Sequence, residues 1–151
     1  MKPVERKLKG ILIDVVEAEV REVEVVNGEC DWHTLKSIRE HIRCNHIEAV
    51  YDAFRNEYPD KGCADIIFVD DEGLFNPESS FFFIPGLAQP IAGNGLIIGG
   101  NFETGETIGH TMSKKNIEFL KENTIFLHSK GEVQIFMRLL NAYNTMQNKQ
   151  V

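Results

Sequence analysis

The sequence predicts an α+β domain with a mainly antiparallel sheet, one early helix and C-terminal helices. Three observations lead there. Short β-branched runs recur, each closed by turn residues. Only one early segment has helical spacing, and the remaining helix signals gather at the end of the chain. At 151 residues the chain fits a single domain, 1–151, large enough to bury a full core.

Residues 8–16 form a β-branched run and predict a strand. In residues 19–26, Val23 and Val25 alternate with Glu22 and Glu24, which predicts a second strand with one wet face. Val20 is out of phase with Val23, so a bulge or a tight turn near Glu17-Ala18 is expected. A helix then starts at Asp31 and stops near Asn45, with Trp32, Leu35, Ile38 and Ile42 as its apolar stripe. Residues 46–54 and 64–69 read as strands. Asp70-Asp71-Glu72-Gly73 is a turn, with Leu74-Phe75 extended after it.

Phe81 to Ile84 is short, aromatic and extended, and residues 91–100 read as a turn followed by a buried strand. Ser113 caps a short helix, and residues 124–127 form a brief strand. Ser129-Lys-Gly-Glu132 is a capping box opening a helix over 129–148. Its apolar residues, from Val133 to Met146, spread beyond one narrow face. That width suggests packing on two sides, one on the domain and the other on a second subunit; full packing on its own core is the alternative.

Composition narrows the function. A net charge of −7 argues against general nucleic-acid binding, which needs clustered cations. It leaves room for a DNA mimic or for a local basic pocket. Cys30, Cys44 and Cys63 are too few and too widely spaced for a disulfide framework. No signal peptide or membrane span is visible, so a cytosolic compartment is expected. His41, Cys44 and His46 lie close in sequence but fall short of a four-ligand zinc set, and no metal is expected. No nucleophile elbow is present and no cofactor motif is seen.

Several segments invite a ligand. Gly93-Asn94-Gly95 lets backbone amides approach a phosphate or sugar, or else forms a tight turn with Asn94 left-handed. In a strand, Phe82 points away from Phe81 and Phe83; it either stacks on a base or fills a sheet buried on both faces. Arg55 and Arg138 each carry a planar fork suited to an anion.

The paired opening strands, Leu35-Lys-Ser-Ile38, Ile47-Glu-Ala-Val50, Asp71-Glu-Gly73 and Pro90-Ile-Ala-Gly-Asn-Gly95 occur in an order that resembles a family of small phage-associated domains. Within it, the chain is similar to the phage Thoeris anti-defence sponge proteins of the first type. The resemblance implies binding and sequestration of a cyclic ADP-ribose signal from TIR proteins, or of cyclic oligonucleotides, without cleavage. It implies a homo-oligomer with ligand sites between subunits, acting in the cytoplasm of an infected bacterial host. Phe82 matches the stacking position and Asn94, between Gly93 and Gly95, the polar turn; Arg55 matches a phosphate contact, and Asn101 closes the strand that follows. Arg138 is added because its helix would reach a neighbouring subunit's site. Two alternatives stand beside this reading: an acidic protein-binding inhibitor or DNA mimic carrying Glu17, Glu19, Glu22 and Glu24, and a hydrolase of the same signal.

Overall fold

The computed structural model describes residues 6–28, 31–50 and 63–149. It is a mixed α+β fold in which every strand pairing is antiparallel. Strands β1 (Arg6–Asp14), β2 (Glu19–Asn27), β3 (Ile47–Val50), β4 (Cys63–Asp70) and β7 (Gly95–Asn101) form one sheet in the order β2-β1-β7-β4-β3. The two-residue β8 (Thr107–Ile108) pairs with β7. A second sheet has three short strands, β5 (Phe81–Phe83), β6 (Ile91–Ala92) and β9 (Ile125–Leu127), with β5 in the middle.

The main sheet is covered on both faces. Leu12, Val25, Leu96 and Ile98 pack against Ile38 and Ile42 of helix α1 (Asp31–Ile42). Ile11, Ile13, Val20, Ile67 and Ile97 face the other way, toward Phe82, Ile84 and Leu120. Leu120 comes from helix α2 (Lys114–Asn123). Strict alternation along β1 and β7 therefore sends apolar side chains to both sides. The second sheet is also covered twice: Phe82 points to the main sheet, while Phe81 packs with Val133 and Phe136 of helix α3 (Lys130–Asn148).

This two-sided burial explains Val20. The register between β1 and β2 runs unbroken from Arg6↔Asn27 to Asp14↔Glu19, so no bulge exists. Val20 and Val25 are both buried, on opposite faces. The tight turn does form over 15–18, with Ala18 at φ 52°. Asp14 organises it: its carboxylate accepts from the amides of Val16 and Glu17 at 3.0 and 3.1 Å and from Arg21 at 3.1 Å. Burial alone would raise this carboxyl's pKa, but those bonds outweigh it and hold it below the usual range.

Helix α1 stops before Asn45. Arg43 takes a left-handed φ of 66°, and Cys44 N–H donates back to the Arg39 carbonyl at 3.2 Å, a Schellman-type ending. The turn after β4 forms as expected, with Glu72 N–H donating to Asp70 Oδ1 at 2.9 Å. Leu74-Phe75 is not extended, however; Gly73–Phe75 make one 3-10 turn packed under β6. Both C-terminal helices are capped as their sequences indicate. Ser113 accepts from Asn116 N–H at 3.2 Å and Ser129 from Glu132 N–H at 3.1 Å. The Glu132 carboxylate accepts from His128 N–H, one residue before the cap. Among the described residues no helix is long and apolar enough to cross a membrane.

Candidate functional site

Two places gather side chains around a concavity, and their electrostatics differ. One, of about 280 Å³, lies between the end of β4 and the segment 87–92. Its walls are Val50, Val69, Leu74, Leu87 and Ile91, and its polar rim is Glu48, Asp70 and Asp71. Burial and the neighbouring Asp71, which also hydrogen-bonds to it, push the Glu48 carboxyl upward. No cation is among its described lining residues, so its field opposes a phosphate.

The second concavity, about 460 Å³, runs along the outer face of α1. Trp32, Lys36 and Arg39 follow one another at i, i+4 and i+7 on one face of α1, and Arg43, just past the helix end, lines the same concavity, as does the carboxylate of Glu40. Trp32 is 56 % exposed, and the Lys36 ammonium sits 5.5 Å from its ring centroid. Among the described residues none of the three cations is held in an ion pair. Arg39 and Asn45 also line an adjoining hollow with Leu35, His46, Ile47 and the acidic Asp71. In a chain of net charge −7 this is a local basic strip with an aromatic plate at one end.

Cys44 lies at the floor of the strip. Burial, then the nearby Asp70 charge, pushes its thiol up to about 11, and it donates to the His46 carbonyl at 3.4 Å. At neutral pH it is a protonated thiol, not a nucleophile. His41 Nε2 lies 2.8 Å from the Glu24 carbonyl. The three side chains that the sequence brings close are thus not pooled around one point. Among the described residues no group of three or more His, Cys, Asp or Glu side chains is arranged to hold a metal ion.

The residues singled out from sequence lie mostly elsewhere. Phe82 has no exposed surface: it is the aromatic centre of the larger core cluster, so it is not an open stacking plate in this chain. Asn94 is 3 % exposed and both polar atoms of its amide are hydrogen-bonded. Its Oδ1 accepts from Val15 N–H at 2.9 Å and its Nδ2 donates to the His41 carbonyl at 3.3 Å. Gly93, not Asn94, takes the left-handed backbone, at φ 83°. Gly95 lies under the Phe82 ring. Phe82, Gly93, Asn94 and Gly95 are therefore together, but as a packed joint between β1, α1 and the second sheet.

Asn101 makes a local turn, its Oδ1 accepting from Glu103 and Thr104 amides at 2.9 and 3.3 Å. Arg138 is exposed on α3. Arg55 lies outside the described residues. Of the acidic set, Glu22 pairs with His110 at 2.8 Å and Glu24 with Lys7 at 3.4 Å, which breaks up the free carboxylate row a DNA mimic would present.

No known protein family, curated protein or solved structure matches the chain. The site therefore rests on this chain's own residues. Sequence reading placed Trp32 on the buried stripe of α1 with Ile38, although six residues turn a helix through most of two turns and set them on different sides. The same spacing rule, applied to Trp32, Lys36 and Arg39, is the signal that marks the strip.

Proposed function

We propose that this chain is a binding protein for a small phosphate-bearing nucleotide, taken up along the outer face of α1. One observation carries the reading: the exposed Trp32 and Lys36 and the half-buried Arg39 share one face of α1, Arg43 follows just past its end, and none of the three cations is ion-paired among the described residues. A purine stacks on the Trp32 plate, worth about 1–3 kcal/mol. Arg39 and Arg43 meet the phosphates through their planar forks. A concavity of about 460 Å³ falls within the size range of nucleotide-sized ligands.

The sequence resemblance supports a particular class of ligand: a cyclic ADP-ribose signal or a cyclic oligonucleotide made by a bacterial defence system. In this reading a phage-encoded protein in the host cytoplasm holds the signal intact and so silences the defence. The strip offers cations and a stacking surface but no nucleophile, since the Cys44 thiol beneath it is protonated at neutral pH.

The test is direct. Protein is mixed with cyclic ADP-ribose isomers and cyclic dinucleotides, unbound ligand is removed, and the protein is heated. Intact ligand detected by mass in the released fraction supports the proposal. Cleaved ligand would replace it with a hydrolase, and no depletion of any nucleotide would end it.

A further inference from the structure

Strand β3 lies at the edge of the main sheet beyond β4, and its register sets Glu48 opposite Val69 and Val50 opposite Ile67. Directly opposed residues share one face of a sheet. Val69 and Ile67 belong to the larger core cluster, and Val50 packs against it. Glu48 thus carries a carboxylate on the face whose other positions are apolar. It stands at the rim of the concavity of about 280 Å³ between the end of β4 and segment 87–92.

That concavity is built before any ligand arrives. On one side the 3-10 turn presents Leu74, and the Ser79 hydroxyl fixes the turn by donating to the Gly73 carbonyl at 2.6 Å. On the other side Leu87 N–H donates to the Ile84 carbonyl at 3.1 Å, and Pro90 is buried. Leu74 and its neighbour Phe75 are nonetheless 60 and 83 % exposed. Two large apolar side chains are therefore left in water beside an apolar hollow.

We propose that this concavity binds a small organic cation, a primary ammonium on an apolar body, with the ammonium at Glu48 and Asp71 and the body against Val69, Leu87 and Ile91. Charge complementarity selects the occupant. The rim holds Glu48, Asp70 and Asp71, with no cation among its described lining residues, so it attracts a positive group and repels a phosphate. Glu48 and Asp71 already hydrogen-bond to each other, which requires a proton between two acids. An ammonium placed there donates to both and takes that proton's place.

The walls decide between kinds of cation. Magnesium and calcium need a shell of oxygens, which Val, Leu and Ile side chains cannot supply. Asp70 Oδ1 is already taken by Glu72 N–H at 2.9 Å, and among the described residues no group of acidic, His or Cys side chains is arranged for a metal. An alkyl or aryl ammonium gains from the same walls by burying its carbon stem. The volume lies near the small end of ligand pockets, which limits the body to one ring or a short chain. The site is opposite in sign to the α1 strip and stands whether or not that strip takes a nucleotide.

Calorimetry on the full chain tests this with 2-phenylethylammonium. 2-Phenylethanol serves as its neutral twin, magnesium as a bare cation, and an end-blocked Leu-Lys-Phe peptide as a protein-borne one. Saturable binding of the ammonium is expected with a Kd of roughly 1 mM or tighter, the scale for so small a ligand, and about tenfold weaker binding of the alcohol. Glu48→Gln with Asp71→Asn weakens the ammonium about tenfold or more. Both side chains lie at the surface, so circular dichroism stays unchanged. Leu74→Ser, also at the surface, weakens binding several-fold without touching a charge, and Trp32→Ala leaves it unaltered. No saturable heat, equal affinity for the alcohol, or binding indifferent to the double variant or to Leu74→Ser would each overturn the proposal. So would magnesium displacing the ammonium, or binding of the peptide alone, which would assign the cavity to a metal or to a protein partner.

Discussion

The ring of Phe82 lies directly against Gly95: a β-carbon at position 95 would sit 2.7 Å from the ring's Cζ. The two residues meet where the second sheet packs on the main one. Gly95→Ala forces the buried ring to shift, and destabilisation of about 1–3 kcal/mol is expected in denaturant unfolding. Phe82→Leu keeps most of the volume and costs on the order of 1 kcal/mol. Because Phe82 is buried, nucleotide binding per folded molecule stays within twofold in both variants; a large loss in Phe82→Leu would return Phe82 to the ligand site.

Asn94 ties the turn after β1 to the end of α1. Asn94→Ala leaves the Val15 amide without its acceptor in a buried place and frees the His41 carbonyl. A loss of about 1–3 kcal/mol follows. Asn94→Asp keeps the acceptor for Val15 but removes the donor to His41, so hydrogen exchange quickens at the end of α1 more than at Val15.

Acid sensitivity traces partly to Asp14. Its carboxyl is held below the usual range in the folded chain. The stabilisation it gives is complete above the unfolded carboxylate pKa of about 4 and is lost as pH falls through the lower folded value. Glu22 acts in the same direction, lowered first by its hydrogen bond from His110. Asp14→Asn therefore lowers stability at pH 7 and flattens the decline below pH 4, as followed by thermal melts across pH. An unchanged acid limb would remove Asp14 from this role.

For the α1 strip, Trp32→Ala weakens nucleotide binding roughly 5- to 100-fold, as expected for losing one stacked base. Arg39→Ala with Arg43→Ala weakens it and also reduces its dependence on salt, because the lost contacts are the screened ones. Calorimetry at two ionic strengths separates the two effects. Melting temperatures of both variants stay near wild type, since none of these side chains is in the core.

The Cys44 thiol, with its pKa pushed up to about 11, reacts slowly with maleimide or iodoacetamide at pH 7. Mass-resolved labelling of the Cys30→Ser, Cys63→Ser double variant reports on it alone. Rapid labelling at neutral pH would show an activated thiol and reopen covalent chemistry at the strip.

The fold was legible because its signals are local. The β-branched run of β1, the alternation in β2, the caps at Ser113 and Ser129, and the breadth of the α3 stripe are each written within a few adjacent residues. What was hidden depends on layers. Val20 looked misplaced only on the assumption that one face of the sheet is wet. Phe82 looked available only until α3 covered one side of its sheet and β7 the other. The α1 strip was present as a spacing, but Trp32 was absorbed into an apolar pattern, although its side chain points away from the sheet. Arg43 offered no local warning that it would take a glycine-like backbone at the helix end.

Strand β1 lies between β2, joined to it by the short turn over 15–18, and β7, where Ile11 faces Ile97. The first pairing closes quickly, as hairpins do, while the second waits on most of the chain. Until β7 arrives, the β1–β2 ribbon carries an open edge flanked by Ile11, Leu12 and Ile13. The long-range β1–β7 closure is the pairing expected to form late, and until it does the ribbon's open edge is a site for edge-to-edge aggregation.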